Sequence, residues 1–349
     1  MQHRRWAVGF ATGTGLLGLT VTSGLAVLAH YFVDEFSRPH TLLAEELFIW
    51  TIAEVPGEPS PSLQRSLLFE TSDGTLLSGE FWAQPMIAPT IVLCHGYRIS
   101  RSHLRSVAAM EYARGYNILL FDFRGHGASD SVMTSGGNAE VRDLEAALEI
   151  ARRQPETLPG KMIIHGFSMG AAVALLTPLH SDVIAIIADS PYARSDDVVQ
   201  RVVYYSLMNE LRRRLPHSHQ LHHFVPFVAW IIVFMCLLDF RLRFGFGFLA
   251  RPDASFRRWQ EQAKTALSLR AIPILLMHAT GDQVIPIEHA RSIAASAKLY
   301  DVPLETYFAD SVDHCGAYMY DPVQYNTVIK DFLARCLKDD FPTLHRQVD

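Results

Sequence analysis

A serine between two glycines is the first feature of this 349-residue sequence that could do chemistry, in the segment Gly166-Phe167-Ser168-Met169-Gly170. The apolar run Lys161–His165 before it predicts a strand, and the small residues of Ala171–Leu176 after it predict a helix. A sharp turn between a strand and a helix presents a serine hydroxyl at the end of a sheet. We therefore predict that Ser168 is a nucleophile and that the amide of Met169 faces developing negative charge. The alternative is a glycine-rich packing turn.

A serine hydroxyl is a weak nucleophile, so it needs a base and an acid that orients the base. His314 follows an apolar stretch and is the candidate base, and Asp282 follows a predicted strand and is the candidate acid. Both come after Ser168 in the chain order, acid and then histidine, that accompanies this kind of turn. Asp189 also ends a predicted strand and is the rival acid.

The segment His95-Gly96-Tyr97 follows the predicted strand Thr90–Cys94 and is the candidate for a second oxyanion donor. Because Gly96 lets the backbone come close to a substrate, the amide of Tyr97 is expected to act together with that of Met169. His95 is predicted to be structural.

Predicted strands alternate with helical stripes over residues 65–191 and again over residues 269–349. The apolar runs are continuous, which is typical of a parallel sheet buried on both faces by helices. The sequence therefore predicts an α/β fold with a mostly parallel, doubly wound sheet, whose ligands bind at the carboxyl ends of the strands. The predicted strands are Ser66–Thr71, Leu76–Trp82, Thr90–Cys94, Asn117–Phe123, Lys161–His165, Val183–Ala188 and Pro273–His278.

The alternation stops over residues 192–268, which we predict to be a lid inserted between the two parts of the core. Its apolar run 224–238 is shorter than the ~20 residues that span a bilayer, so a lid or interfacial element is favoured over a second spanning helix. The insertion carries a histidine cluster that we interpret as lid surface, with a metal site as the alternative; its members are His217, His219, His222 and His223.

No charged residue occurs from Trp6 to Val33, and a helix of that length reaches ~40 Å, more than the ~30 Å of a hydrocarbon core. Arginines precede this stretch and acidic residues follow it, so the positive-inside rule places the chain beyond it on the non-cytoplasmic side. We predict a single-pass anchor over residues 1–35 and a connector over 36–64. The alternative is a cleaved signal peptide. The flanking charges are Arg4, Arg5, Asp34 and Glu35.

The composition, with 49% hydrophobic and 19% charged residues, can bury a large core. The net charge is -5 and no long basic run occurs, so nucleic-acid binding has no electrostatic support. The cysteines are scattered, which favours buried free thiols over a disulfide or a metal site. They are Cys94, Cys236, Cys315 and Cys336.

With these residues in place, residues 65–340 resemble the α/β-hydrolase superfamily, and within it the membrane-anchored serine hydrolase (ABHD-type) branch. The block Asp122–Ser129, DFRGHGAS, is a frequent companion of the serine turn in that superfamily and is interpreted as a structural turn. The resemblance implies an α/β-hydrolase fold and a serine hydrolase of the esterase or lipase type that needs no metal or organic cofactor. The expected substrate is a small ester, thioester or amide, and the anchor together with the apolar run 224–238 favours an acyl or lipid-like one. A peptidase or amidase and a non-catalytic membrane-tethered binding protein are the alternatives.

Overall fold

The computed structural model describes residues 22–39, 59–215, 219–245, 250–266, 269–311, 313–338 and 346–348. These residues fall into two compact units. The core unit holds the described residues of Arg38–Ser195 and of Ala250–Asp349. The helical unit holds residues 22–37 and the described part of 196–249.

One sheet runs through the core unit, with the strand order β1-β2-β4-β3-β5-β6-β7-β8-β9. Strands β1, β2 and β4 are joined by antiparallel pairing, and every other neighbouring pair is parallel. The predicted mostly parallel sheet is therefore confirmed. The strands are β1 Gln64–Glu70, β2 Leu76–Trp82, β3 Ala88–Cys94, β4 Asn117–Phe121, β5 Thr157–Phe167, β6 Val183–Asp189, β7 Ile274–Ala279, β8 Leu304–Ala309 and β9 Arg346–Val348.

Helices cover both faces of this sheet, because successive side chains of a strand point to opposite sides and both sides are apolar here. In β3, Val92 belongs to one buried apolar cluster and Leu93 to the other. The α-helices described are α1 over 22–37, α2 Arg105–Tyr112, α3 Glu140–Arg152, α4 Met169–Leu176, α5 Ser195–Arg214, α6 Val225–Phe244, α7 Pro252–Thr265, α8 Ile287–Leu299, α9 Ala317–Tyr320 and α10 Pro322–Leu337.

The helical unit is built on α1, α5 and α6, which share a small apolar cluster. This unit is shorter than the insertion predicted over 192–268, because α7 belongs to the core. Phe256 and Trp259 of α7 are buried in the core cluster, and the Trp259 indole donates to the Thr177 carbonyl at 2.9 Å. That the insertion acts as a lid stays a prediction.

The predicted membrane anchor lies largely outside the described residues, which begin at residue 22, and most of the predicted connector 36–64 also lies outside them. Within the part of the chain that the structure describes, the stretch Gln220–Phe244 is long and apolar enough to cross a membrane, by length and composition.

Candidate active site

The turn that carries Ser168 joins β5 to α4 at the carboxyl end of the sheet. Ser168 has φ 51° and ψ −112°, a left-handed backbone that costs a non-glycine residue free energy and is found where a structure enforces it. Its amide donates to the carbonyl of Asp189 at the end of β6, at 2.8 Å. The strained turn predicted for the serine is therefore present.

The two glycines of the turn are required by close backbone contacts. A Cβ atom on Gly170 would lie 2.3 Å from the carbonyl oxygen of Cys94. A Cβ atom on Gly166 would lie 2.5 Å from the carbonyl oxygen of Gly170. Any other residue would push α4 away from β3 or from β5, so the glycines bring the helix N-terminus against the strand ends.

The structure brings the three predicted residues together in one hydrogen-bonded chain. His314 Nε2 lies 2.8 Å from Ser168 Oγ, and His314 Nδ1 lies 2.6 Å from Asp282 Oδ2. An ionised carboxylate can only accept, so Nδ1 carries a proton and donates to Asp282. In the neutral imidazole, Nε2 is then free to accept the proton of the Ser168 hydroxyl.

The loop after β7 holds the Asp282 carboxylate from its other side. Asp282 Oδ1 accepts from the amides of Val284 and Ile285 at 2.8 and 2.9 Å. His278, at the end of β7, donates from Nε2 to the carbonyl of Ile285 at 2.7 Å. Sequence reasoning missed this role of His278, although its place just before the turn with Asp282 was a usable signal.

Competing effects set the charges of His314 and Asp282 in this series of hydrogen bonds. Burial favours the uncharged imidazole, but the neighbouring Cys315 sulfur and the Asp282 carboxylate raise the pKa of His314 well above its usual value. Burial would likewise raise the pKa of Asp282, but the hydrogen bond and positive charge of His314 hold that pKa below its usual value. Asp282 is therefore ionised at neutral pH and able to stabilise an imidazolium.

Asp189, the rival acid, bonds to other partners. Its carboxylate accepts from Ser190 Oγ at 2.9 Å and from Tyr325 Oη at 3.1 Å. Tyr325 Oη also lies 3.2 Å from His165 Nε2. Burial raises the pKa of Asp189 to about 6, against the hydrogen bonds from Ser190 and Tyr325. Sequence reasoning missed the part played by Tyr325, which lies on a distant helix with no motif around it.

The residues predicted to supply the oxyanion donors lie close to Ser168 in the chain or in the fold. Met169 is the first residue of α4, where amides have no carbonyl partner inside the helix. A Cβ atom on Gly96 would lie 3.4 Å from Ser168 Cβ, so the turn of Gly96 and Tyr97 borders the serine. That the amides of Tyr97 and Met169 form an oxyanion hole stays a prediction.

His95 has both ring nitrogens bonded to backbone. Nδ1 donates to the Gly96 carbonyl at 2.7 Å, and Nε2 accepts from the Phe123 amide at 2.9 Å. Complete burial, together with the nearby His126, lowers the pKa of His95 well below its usual value. The His95 side chain is therefore uncharged, and its two hydrogen bonds hold the turn that carries Tyr97 in place.

Hydrogen bonds and ion pairs connect the DFRGHGAS block to its surroundings and within itself. The Asp122 carboxylate accepts from the Arg101 amide at 2.7 Å and from the Ala128 amide at 3.0 Å. Arg124 is almost completely buried and pairs with Asp143 at 2.6 Å and with Asp73 at 2.8 Å. These bonds join the loop after β4 to α3 and to the β1–β2 turn, in line with the structural reading of the block.

Metal and thiol chemistry have little support in the described residues. Among them, no group of three or more His, Cys, Asp or Glu side chains could hold a metal ion. His217, one member of the predicted histidine cluster, lies outside these residues. All four cysteines are free and buried.

Comparison of the sequence with known proteins finds a match to the alpha/beta hydrolase family over residues 91–328. The uncharacterized protein YqkD of Bacillus subtilis is 27% identical over 250 residues, which is 70% of each chain. The uncharacterized protein YfhR of Escherichia coli K12 is 25% identical over 249 residues, covering 69% of this chain and 70% of YfhR.

Two solved structures with different chemistry share the fold. The esterase Pf2001 of Pyrococcus furiosus has a TM-score of 0.55 and 24% identity, covering 78% of this chain and 92% of the esterase. The acylaminoacyl peptidase of Pyrococcus horikoshii has a TM-score of 0.51 and 16% identity, covering 79% of this chain and 42% of the peptidase. The shared fold therefore does not choose between ester and amide bonds.

Proposed function

Because this chain belongs to the alpha/beta hydrolase family, we propose that it is a serine hydrolase with Ser168 as nucleophile, His314 as general base and Asp282 as the acid that orients His314. The observation that carries this proposal is the continuous chain of hydrogen bonds from Asp282 through His314 to Ser168, at 2.6 and 2.8 Å. The strained backbone of Ser168 supports the same assignment.

The proposed reaction passes through an acyl-enzyme. Ser168 Oγ attacks the substrate carbonyl as its proton moves to His314 Nε2. Asp282 stabilises the imidazolium, which then gives the proton to the leaving alcohol, thiol or amine. Water attacks the acyl group, His314 takes the proton from that water, and the acid product leaves with Ser168 restored.

The negative charge on the substrate oxygen would form against the amides of Met169 and Tyr97. The position of Met169 at the first turn of α4 supports this, because the helix N-terminus carries partial positive charge. The close approach of Gly96 to Ser168 supports the second donor. Removal of one such donor typically slows a reaction by about a hundredfold to a thousandfold.

The proposed substrate is an ester, thioester or amide of acyl or lipid-like character, met at a membrane. The uncharged sequence from Trp6 to Val33 supports a single-pass anchor, and Arg4 and Arg5 before it support a catalytic domain on the non-cytoplasmic side. Protease added outside sealed cells should digest the core unit if that orientation holds. A core unit protected from protease until the cells are opened would contradict it.

Labelling by a fluorophosphonate tests the nucleophile. The native chain should be labelled and should hydrolyse a p-nitrophenyl ester, and Ser168→Ala should abolish both. Ser190→Ala is the matched control, because this nearby serine also has a left-handed backbone but donates to Asp189. Undiminished labelling of Ser168→Ala would reject the assignment, and a native chain that no probe labels would favour a binding protein.

Turnover of matched substrates tests which type of bond the protein cleaves. An ester and an aminoacyl amide with the same acyl group should differ in kcat/KM in favour of the ester. A preference for the amide would identify a peptidase or amidase instead. Ester series of increasing chain length should show rising kcat/KM if the acyl part is lipid-like.

A further inference from the structure

One side of α6 presents a continuous apolar surface to solvent. Its members recur every three or four residues and are each more than half exposed. Two pairs of their rings are stacked, Phe227 with Trp230 and Trp230 with Phe234, at centroid distances of 6.5 and 6.4 Å. We call this surface the α6 face, which consists of Phe224, Phe227, Trp230, Phe234, Leu238 and Leu242.

The opposite side of α6 packs within the helical unit. Ala229, Ile232 and Cys236 are buried there with Ala29 and Val33 of α1. Only 28% of the most apolar stretch of α6 is buried, which is unlike a core helix of a soluble protein. An exposed apolar surface of this extent marks an interaction site.

The connectivity of the core unit excludes α6 as a single membrane crossing. β6 precedes α6 in the chain and β7 follows it, and these strands pair directly, Ile186 with Ile274. One crossing between them would put the two strands on opposite sides of the bilayer. A second crossing by α5 is excluded by charge, because α5 carries Arg201 and Glu210 away from its ends.

The helix that packs beside α6 indicates that lipid covers the α6 face. α1 runs parallel to α6, since Cys236 Sγ contacts the Ala29 carbonyl at 3.6 Å and Arg243 pairs with Asp34 at 3.2 Å. The sequence that leads into α1 is uncharged back to Trp6. A bilayer that takes up this segment would therefore meet α6 as well.

Charged residues flank the apolar run of α6 in the sequence. Arg213 and Arg214 end α5, and Asp239, Arg241 and Arg243 lie near the end of α6. From Val225 to Leu238 there is no charged residue on any side of the helix. Arginines that flank an apolar and aromatic stripe suit a helix whose ends reach phosphate headgroups.

We propose that the α6 face contacts the interfacial layer of a lipid bilayer without crossing it. Trp230 and the phenylalanines suit this layer, where aromatic rings are enriched. The proposal rests on the exposed face, on chain connectivity and on the proposed N-terminal anchor, and it stands whether or not Ser168 is a nucleophile.

Labelled cysteines in the full chain test this placement. Phe227→Cys and Phe234→Cys are labelled with an environment-sensitive nitrobenzoxadiazole dye and reconstituted into phosphatidylcholine–phosphatidylglycerol vesicles. The four native cysteines are buried, so the dye reports the introduced one. Leu299→Cys is the matched control, an apolar residue of the core unit that is 72% exposed.

Lipids with a nitroxide near the headgroup should remove most of the emission at residues 227 and 234 and little at 299. Quenching no stronger than at 299 would overturn the proposal. Stronger quenching by a nitroxide at the acyl-chain end would overturn the interfacial placement. A blue-shifted dye that neither lipid quenches would mean that protein, either residues 1–21 or a second copy, covers the face instead.

Discussion

The backbone carbonyl of Asp189 accepts the amide of Ser168 at 2.8 Å, so the end of β6 holds the turn that carries the proposed nucleophile. The carboxylate of Asp189 is held in turn by Tyr325 of α10, which also meets His165 of β5. All three side chains are completely buried. They connect α10 to the adjacent strands β5 and β6, next to the turn that carries Ser168.

Tyr325→Phe should weaken this support without touching the proposed chemistry. It leaves the buried Asp189 with one donor fewer, which should cost about 1–3 kcal/mol of unfolding free energy. Urea unfolding measures the loss. Tyr320→Phe, at a side chain that is 58% exposed, should change stability by less than about 0.5 kcal/mol. Equal effects of the two substitutions would contradict a supporting role for Tyr325.

Asp282→Asn and Asp189→Asn should separate the proposed acid from its rival. Asp282→Asn should lower kcat by about three to four orders of magnitude, because an amide does not hold the histidine in the productive tautomer. Asp189→Asn keeps an acceptor for Tyr325 and should leave kcat within about tenfold. Steady-state kinetics on one ester measures both. The reverse ranking would assign the acid to Asp189.

The pH dependence of kcat/KM should report the raised pKa of His314. Only the neutral imidazole accepts the serine proton, so activity should rise with pH through a midpoint above 6.5. The sign for stability is opposite: the interaction with Asp282 stabilises the fold at pH below 6.5 and is lost as pH rises through the raised pKa.

Asp282→Asn should move the midpoint of its residual activity to lower pH, since the carboxylate no longer favours the imidazolium. Stopped-flow assays across the pH range follow both proteins. A midpoint that stays in place in Asp282→Asn would show that another group controls the rate.

Gly170→Ala should disrupt the serine turn. Its Cβ atom would lie 2.3 Å from the Cys94 carbonyl oxygen, and displacement of β3 or α4 should cost about 3 kcal/mol or more. Gly160→Ala meets no neighbour within 4 Å and has φ +71°, so only backbone strain of about 1–2 kcal/mol is expected. Thermal unfolding and fluorophosphonate labelling should both rank the two variants in this order.

Arg124→Ala should be strongly destabilising because it leaves the buried carboxylate of Asp143 without its cation, at a cost of about 3–5 kcal/mol. Arg152→Ala is the matched control, since its pairs with Glu149 and Asp182 lie at the surface and should contribute less than about 1 kcal/mol. Similar unfolding midpoints for the two variants would show that the DFRGHGAS block is not held by this pair.

Much of the fold could be predicted because its signals are local. Strand β7, for example, is a buried run that is apolar except for His278 and ends before a turn, and Ser168 sits between glycines whose spacing has a steric reason. The boundary of the insertion was harder to predict. The pattern of α7 resembles the helices before it, and only the burial of Trp259 in the core places α7 there.

The sequence by itself determined strands β1 to β7, the strained serine turn and the order of Ser168, Asp282 and His314, because periodicity and glycine spacing act over a few residues. Only the tertiary structure decided which acid accepts a hydrogen bond from the His314 imidazole and which supports the turn that carries Ser168. Asp282 lies in the loop after β7 and Asp189 ends β6, and their partners lie 32 and 136 residues away. Contacts at such separations depend on how the strands are ordered in the sheet, and no local pattern encodes that order.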